Sequence, residues 1–388
     1  MLKSQFMKRP FTFSKPRAWL PTRRSWVRWA AVCGLGLLPG ISLGQVDQQK
    51  LQQTVDKGVA YLQLRSQSGD GAISPQVGIG VTALAVTALM QNGATPQDPA
   101  VARGLELVAA SAQPDGGLYA PGSRLMMYET SVAMLCLQAA NQQGTYDSLL
   151  KKAAAFLRGQ QFDEEDSLEP SDLQYGGAGY GGKTRADLSN TAFFIDALKS
   201  MGDAENDAAI AKALIFVSRC QNLESPHNTS EDAAKINDGG FFYTVVGEGA
   251  SAAGETPEGG LRSYGSMTYA GFKSMLYAGL DADDARVVAA RKWITQHYTL
   301  QENPGLGDAG LYYYYHLFAK ALAAAGIDTI TDAQGVEHNW RAELIDHLAG
   351  LQSADGSWTN DNSRWMEGDP NLATTFSLLA LSYCHSDK

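Results

Sequence analysis

Hydrophobic and polar positions along this chain follow a helical spacing and recur as pairs of segments. The stretch from Ala342 to Ser382 shows one such pair. Its first segment is apolar at helical spacing, at Leu344, Ile345, Leu348 and Leu351. A polar turn with Asp355-Gly356 follows, and then the segment Leu372–Tyr383, which carries almost no charge. One helix with a polar face and one without predict an outer and an inner layer.

The same pair recurs six times along the chain. The outer-helix candidates, which end in a Gln-like residue and a Gly-bearing turn, are Val55–Arg65, Pro99–Ala112, Asp147–Gln161, Glu205–Gln221, Asp283–Tyr298 and Asn339–Gln352. The inner-helix candidates are Gly78–Gln91, Leu125–Asn141, Ala186–Met201, Tyr264–Ala278, Gly310–Ala325 and Asn371–Tyr383. Six two-helix units predict an all-α protein, either a closed (α/α)6 toroid or an open solenoid. We expect the closed form, as one domain over residues 45–388.

Two connecting segments are much longer than the others. Leu168–Thr184 and Leu223–Arg262 are rich in Gly, Ser and Glu. Both precede an inner-helix candidate, so they lie at the same end of the predicted barrel. Loops enlarged at one end often shape a binding mouth. A surface insertion without function is the alternative.

The first 44 residues differ in composition from the rest of the chain. They contain eight Lys or Arg, no acidic residue, an apolar run at 29–38 and then Ser42-Leu43-Gly44. This pattern predicts an export signal peptide over residues 1–44, and the apolar run is too short for a membrane span. Arg23-Arg24 leaves both the twin-arginine and the general secretory route open. We therefore expect the mature chain in the periplasm or outside the cell.

Without this leader the chain is strongly acidic. Of 31 Lys and Arg, 23 remain against 41 Asp and Glu, which gives a formal net charge of −18. Such a charge disfavours nucleic acid and anionic membrane surfaces as partners. Cys136, Cys220 and Cys384 form no Cys-x2-Cys or Cys/His cluster, so neither a disulfide framework nor a thiolate metal site is predicted. We expect no cofactor.

The turns carry a recognisable repeat. Gln352-x3-Gly356-x-Trp358 closes the last outer segment, and Lys57-Gly58-x2-Tyr61-Leu62 lies in the first. Both resemble the QW repeat of squalene and hopene cyclases. The chain is similar to the prenyltransferase and squalene-cyclase repeat proteins over most of residues 50–385. The resemblance implies the (α/α)6 toroid, and it leaves the activity open.

The catalytic motifs of these families are misplaced or altered. Asp281-Ala-Asp283-Asp284 matches the DxDD acid motif of the cyclases in letters. It stands before an outer helix, however, where Asp281 or Asp283 is a natural N-cap. The last inner helix resembles the zinc-binding helix of protein prenyltransferases, but Ala373 replaces its His and Asp308-Ala-Gly replaces Asp-x-Cys. We therefore expect no zinc site.

Arginines precede several inner helices at a regular distance. Three of them stand six residues before a threonine, namely Arg124, Arg185 and Arg262. Arg364 precedes Thr374 by ten residues. Equivalent positions of a closed repeat converge at one mouth, where Arg recognises anionic groups; pairing with loop acids is the alternative. The ligand-binding candidates at this mouth are Arg124, Tyr128, Arg185, Arg262, Tyr264, Arg364 and Trp365.

The fifth inner segment contains four consecutive tyrosines, Tyr312 to Tyr315. They cover every side of a helix, so at least one phenol faces the cavity. His316 lies one turn after Tyr312 or Tyr313. An inward Tyr–His pair can act in acid–base chemistry or line an aromatic cage, whereas a satisfied core position is the alternative. The candidate catalytic residues are His316, Tyr313 and Asp308.

Three functions are compatible with these features. The first is a terpenoid-cyclase- or prenyltransferase-like protein that binds a small ligand in the barrel mouth. The second is a secreted carbohydrate-active enzyme, lyase-like, on an anionic glycan. The third is a non-catalytic toroid that binds a ligand or a protein. An aromatic-walled cavity favours the first function, an open polar cleft with an inward His316 the second, and a plugged barrel the third.

Overall fold

The computed structural model describes residues 46–66, 71–247 and 249–385 of the chain. The predicted signal peptide, residues 1–44, lies outside these ranges, and so does most of the turn at 67–71. None of the described helices combines the length and the apolar character that crossing a lipid bilayer requires.

Twelve of the described helices form two concentric layers. The outer helices are α1 (Gln48–Ser66), α3 (Pro99–Ala110), α5 (Asp147–Gln160), α7 (Ala204–Arg219), α10 (Ala285–Gln296) and α12 (Trp340–Leu351). The inner helices are α2 (Gly80–Gln91), α4 (Met126–Ala140), α6 (Leu188–Met201), α9 (Gly265–Tyr277), α11 (Leu311–Ala324) and α13 (Pro370–Leu381). Outside the layers lie the short helix α8 (Glu231–Ile236) and an antiparallel ladder of β1 (Ile330–Thr331) and β2 (Glu337–His338). Each layered helix falls on one predicted segment; the largest difference is α1, which begins at Gln48 rather than Val55.

The inner helices close into a ring. Each packs against the two beside it in the chain order, and α13 packs against α2. Their low charge follows from this position, because they lie between the outer helices and the centre of the ring: in α2, every residue from Gly80 to Leu89 is buried. The predicted (α/α)6 toroid is confirmed. The open solenoid is wrong, since the first and last inner helices are in contact.

A glutamine at the end of three outer helices ties that helix to the next one. Nε2 of Gln352 donates to the carbonyl oxygen of Gly356 in its own turn, at 3.0 Å, and to that of Thr54 in α1, at 2.9 Å. The same two bonds are made by Gln161 to Gly176 and Ala209 of α7, and by Gln221 to Gly239 and Arg286 of α10. We call these bonds the glutamine clamps. The Gln352 clamp joins the last outer helix to the first.

The turn after each clamp approaches the next outer helix closely. Gly356 has φ of +90°, and a Cβ at this residue would lie 2.4 Å from the carbonyl oxygen of Lys57 in α1. Gly176 and Gly239 take the equivalent places against α7 and α10, where a Cβ would lie 1.9 Å and 2.6 Å from a backbone carbonyl oxygen. Glycine is therefore required both for the backbone conformation and for space.

The threonines that follow the arginines hold these turns to the inner helices. Oγ1 of Thr374 accepts a hydrogen bond from the backbone N–H of Trp358, at 3.0 Å. The equivalent bonds run to Thr130 from Leu118, to Thr191 from Ala178 and to Thr268 from Phe241. Trp358 then packs its ring against Gly58 of α1. The regular spacing between arginine and threonine is thus a consequence of this repeated turn structure.

The sequence Asp281-Ala-Asp283-Asp284 caps α10, as its position predicts, but through a different residue. The N-cap is Asp284, whose Oδ1 accepts from the backbone N–H of Arg286 at 2.9 Å. Asp284 also forms an ion pair with the Arg286 guanidinium at 2.8 Å. The prediction of Asp281 or Asp283 as the cap was wrong, because these two residues form the turn that precedes the helix.

The close approach of Gly356 to α1 predicts that a single added methyl group destabilises the folded state. Gly356→Ala is expected to lower the free energy of unfolding by about 3 kcal/mol or more, because it adds both backbone strain and a clash with the Lys57 carbonyl. Gly335→Ala is the matched control, since Gly335 has φ of +82° and open space around its Cβ position. This control should cost about 1–2 kcal/mol, the strain alone. Equal losses in thermal or urea unfolding would contradict the close-approach argument.

Candidate functional site

A cavity of about 570 Å³ lies on the axis of the inner ring, within the 300–1,000 Å³ range of small-molecule sites. All six inner helices contribute to its wall. One lining residue from each, in chain order, is Val81, Tyr128, Phe193, Met267, Tyr313 and Phe376. Five of these residues lie in the first half of their helices and Phe376 lies at the middle of α13, so the cavity occupies the end of the ring at which the inner helices begin.

Aromatic rings form a continuous part of this wall. Tyr128 meets Phe193 edge to face, with ring centroids 5.3 Å apart. Phe193 stacks on Tyr313 at 6.3 Å, and Tyr313 lies 5.5 Å from Phe376. Tyr264, which is buried, and Trp365 complete the aromatic lining. Such rings provide large apolar contact area, and their faces attract positive charge.

The two long loops place further side chains in the cavity. The first supplies Tyr180, and its carbonyl oxygen accepts from the N–H of Met127 in the first turn of α4, at 2.9 Å. The second supplies Tyr243, whose carbonyl oxygen accepts from the N–H of Leu188 in the first turn of α6, at 2.8 Å. The free N–H groups at helix N-termini thus anchor both loops. The prediction that these loops shape a binding mouth agrees with this arrangement.

A third segment, Arg364–Glu367, closes the cavity from another side. Trp365 and Met366 have φ of +53° and +68°, values that side-chain-bearing residues adopt rarely. The guanidinium of Arg364 lies over the Trp365 ring at 4.3 Å. Glu367 is buried, and its two carboxylate oxygens accept from the backbone N–H groups of Tyr312 and Tyr313, at 3.1 Å and 2.8 Å. Burial raises the pKa of Glu367, although these hydrogen bonds oppose the shift.

The four consecutive tyrosines divide between the cavity and the space behind it. Tyr313 lines the cavity, and its hydroxyl lies 3.0 Å from Oγ of Ser189. The hydroxyls of Tyr312, Tyr314 and Tyr315 instead donate to the backbone carbonyls of Thr359, Thr299 and Leu300. One phenol of the four therefore faces the ligand space. Burial raises the pKa of Tyr313, so this phenol keeps its proton near neutral pH.

His316 lies below the cavity rather than in its wall. Its ring stacks on Phe376 at 5.9 Å, and Nδ1 has no hydrogen-bond partner among the described residues. Burial, together with the nearby Lys320 and Lys273, lowers the pKa of His316 well below its ordinary value. The imidazole is neutral at physiological pH, and it does not line the cavity, whereas Phe376 does.

A buried ion cluster lies deeper still. Asp196 accepts from Nζ of Lys273 and from Nζ of Lys320, both at 2.6 Å. Burial opposes the ionisation of Asp196, but the two ammonium groups outweigh it and hold its pKa below the usual range. Burial also lowers the pKa of Lys273 to about 8. Asp196 stands seven residues after Ser189 on α6, so the cluster lies about 10 Å below that part of the wall.

The other predicted residues take varied places. Tyr128, Tyr264, Arg364 and Trp365 line the cavity together with Tyr313. The exposed residues Arg124, Arg185 and Arg262 do not line it, although the Arg185 guanidinium lies 5.7 Å from the ring of Tyr243. Asp308 is exposed and accepts from Nδ2 of Asn362 at 2.8 Å. The structure therefore brings together one of the three catalytic candidates and four of the seven binding candidates.

The polar end of the cavity involves residues that the sequence did not single out as a site. Asp187 is the N-cap of α6; it accepts from the backbone N–H of Asn190 at 2.9 Å and from its Nδ2 at 2.8 Å. Tyr243 lies within hydrogen-bonding reach of both Asp187 and Tyr180. Burial raises the pKa of Asp187 to about 6, against the hydrogen bonds from Asn190 and Tyr243. The available signal was an Asp-x2-Asn pair at an inner-helix start.

Comparison with known proteins agrees with the fold and the repeat. Residues 71–244 match the family model of the squalene-hopene cyclase C-terminal domain. An unliganded variant of the type II terpene cyclase MstE from Scytonema has 15% sequence identity and a TM-score of 0.52, over 87% of this chain and 96% of that chain. A second variant, in complex with geranylgeranyl dihydroxybenzoate as substrate, has the same identity and TM-score, over 87% and 97%.

A glycosyl hydrolase of family 88 from Bacteroides vulgatus has 12% identity and a TM-score of 0.47, over 86% of this chain and 98% of that chain, too low to bear on function. No curated protein sequence matches the chain. At these identities the structural likeness establishes the fold and not the reaction. The repeat, the closed double ring and the two matches agree in the fold: the chain is an α/α toroid, and it is similar to the squalene-hopene cyclase C-terminal domain over residues 71–244.

Proposed function

We propose that this protein binds an elongated apolar ligand of the isoprenoid type in the cavity of its inner ring. The observation that carries the proposal is the continuous aromatic wall from Tyr128 through Phe193 and Tyr313 to Phe376. Burial of hydrocarbon against such a wall is favourable by about 25 cal/mol per Å² of apolar surface removed from water. The MstE complex with geranylgeranyl dihydroxybenzoate supports this ligand class by analogy of fold.

The wall also suits chemistry that develops positive charge in the ligand. Ring faces attract a cation, and Glu367 places one carboxyl group in the wall of the cavity, while Asp187 is buried behind the wall residue Asn190. A terpenoid-cyclase-like reaction is the activity that this arrangement favours. Export to the periplasm or beyond stays a prediction from the leader.

A glycan ligand receives less support from the same cavity. Among the described residues in its wall, Arg364 is the one Lys or Arg, and its guanidinium is stacked on Trp365. Uronates bind where several basic and hydroxyl groups converge. Arg124, Arg185, Arg262 and His316, on which the glycan hypothesis rested, do not line the cavity.

Ligand binding can be tested with a variant that fills the cavity. Ser189→Trp places an indole in the wall and is expected to abolish the rise in Tm, a few degrees at saturating ligand, that geranylgeraniol gives with the unaltered protein. Val288→Trp is the control, because Val288 is 50% exposed on an outer helix. It should keep the full shift. An acidic oligosaccharide that shifts Tm where geranylgeraniol does not would refute the proposed ligand class.

The pKa of Asp187 predicts a pH dependence of stability. Its folded value of about 6 lies above the ordinary 3.8, so the carboxyl holds its proton more tightly in the folded state. Its contribution is fully present below about pH 4 and is lost as the pH rises through about 6, a change of about 3 kcal/mol for two pK units. Asp187→Asn removes this titration.

The test compares the Tm of the two proteins between pH 4 and pH 7. The Tm of the unaltered protein, relative to that of Asp187→Asn, is expected to fall as the pH rises through this range. Asp203→Asn is the matched control, because Asp203 caps α7 through Asn206 in the same way but is exposed. A constant difference between the unaltered protein and Asp187→Asn would contradict the assignment.

A further inference from the structure

The polar end of the cavity contains an acceptor that no described residue satisfies. Asn190 lines the cavity and is 2% exposed, and its Oδ1 has no hydrogen-bond partner within the described part of the chain. An acceptor left in this state costs about 1–3 kcal/mol. A ligand group that donates a hydrogen bond to Oδ1 would recover this energy.

The orientation of the Asn190 amide is fixed by its neighbour. The carboxylate of Asp187 can only accept hydrogen bonds, so the Nδ2 side of the amide must face it, as the 2.8 Å contact shows. Oδ1 therefore points away from Asp187. Because Oδ1 only accepts, it requires a donor.

The equivalent residue on another helix has a hydrogen-bond donor for its amide oxygen. Asn206 on α7 bonds to its own cap, Asp203, through the backbone N–H and Nδ2, at 2.9 Å and 3.0 Å. Its Oδ1, however, accepts from Nη1 of Arg158 at 2.6 Å. The two caps are alike, and only the one at the cavity lacks the donor. The missing donor is thus a property of the site rather than of the capping arrangement.

Charge at this end of the cavity selects among donors. Asp187 and Glu367 are both carboxyl groups, and each is bound at the N-terminus of an inner helix. Arg364 is exposed and engaged with Trp365. A diphosphate here would meet two carboxyl groups and one stacked guanidinium, so like-charge repulsion disfavours it. An uncharged hydroxyl meets no such penalty.

We propose that the cavity selects an isoprenoid with an uncharged hydroxyl head group, an alcohol or a phenol, and that Asn190 Oδ1 accepts the hydrogen bond from that hydroxyl. This inference rests on the proposed function and adds the head-group class to it. Asn190 is then a specificity-determining residue. The apolar chain occupies the aromatic wall, and the hydroxyl lies at the first turn of α6.

Three ligands with the same chain test the inference: geranylgeraniol, its methyl ether and geranylgeranyl diphosphate. Their dissociation constants are measured by titration calorimetry on the chain without its predicted leader. Geranylgeraniol is expected to bind about tenfold more tightly than the ether, which cannot donate, and the diphosphate more weakly than the alcohol. Asn190→Leu keeps the side-chain volume and should make the alcohol and the ether equal.

Ser200→Ala is the control for this variant, since Ser200 lies near the other end of the same helix, outside the cavity wall, and its removal leaves Asn190 intact. It should keep the preference for the alcohol. If Asn190→Leu does not fold, the comparison of ligands on the unaltered protein still decides the head-group class. Equal affinity for alcohol and ether, or tighter binding of the diphosphate, would overturn the inference while leaving the isoprenoid proposal intact. A preference for the alcohol that persists in Asn190→Leu would overturn the role of Asn190, and failure of all three ligands would overturn the proposed function itself.

Discussion

The closed ring depends on the glutamine clamps, in which one amide group bridges two backbone carbonyls. Each clamp uses both N–H bonds of Nε2, one for the turn and one for the next outer helix. In the inner layer, the ion pairs of Asp196 with Lys273 and Lys320 join α6 to α9 and α11, and helix packing closes the ring. At the Gln352 clamp this bond spans 298 residues of sequence, and it converts a row of helix pairs into a ring.

Closure of the ring leaves a cavity on the axis of the inner helices. Helices of Ala, Ser, Thr and Leu pack tightly, and the larger residues near their N-terminal ends leave a space on the axis rather than filling it. The two long loops at that end accept hydrogen bonds from free backbone N–H groups of α4 and α6. The buried carboxylate of Asp187 accepts from an N–H group at the start of α6, and that of Glu367 accepts from N–H groups at the start of α11. Helix N-termini therefore position both the mouth of the cavity and its polar groups.

The fold could be predicted from the sequence because the fold is periodic. Gln352, Gly356 and Trp358 each make a bond or contact that other repeats reproduce, so a repeated pattern is direct evidence of a repeated structure. The site could be predicted only where it followed the same repeat, as Tyr128 and Tyr264 do at inner-helix starts. Helical spacing does not give depth: His316 lies about one turn after Tyr313, stacks on Phe376 and does not line the cavity. Asn190 could not be found at all, since what distinguishes it from Asn206 is the absence of an arginine contributed by a different helix.

The ion cluster of Asp196, Lys273 and Lys320 has a consequence for the length of whatever enters the ring. A hydrocarbon chain that reaches past Phe376 and His316 would meet two ammonium groups that share one carboxylate. Displacing either contact would leave a charge buried and uncompensated, at a cost of about 3–5 kcal/mol, which exceeds the gain from burying a few more methylene groups at about 0.8 kcal/mol each. With the isoprenoid ligand proposed above, affinity is therefore expected to fall sharply once the chain is long enough to reach this ion cluster.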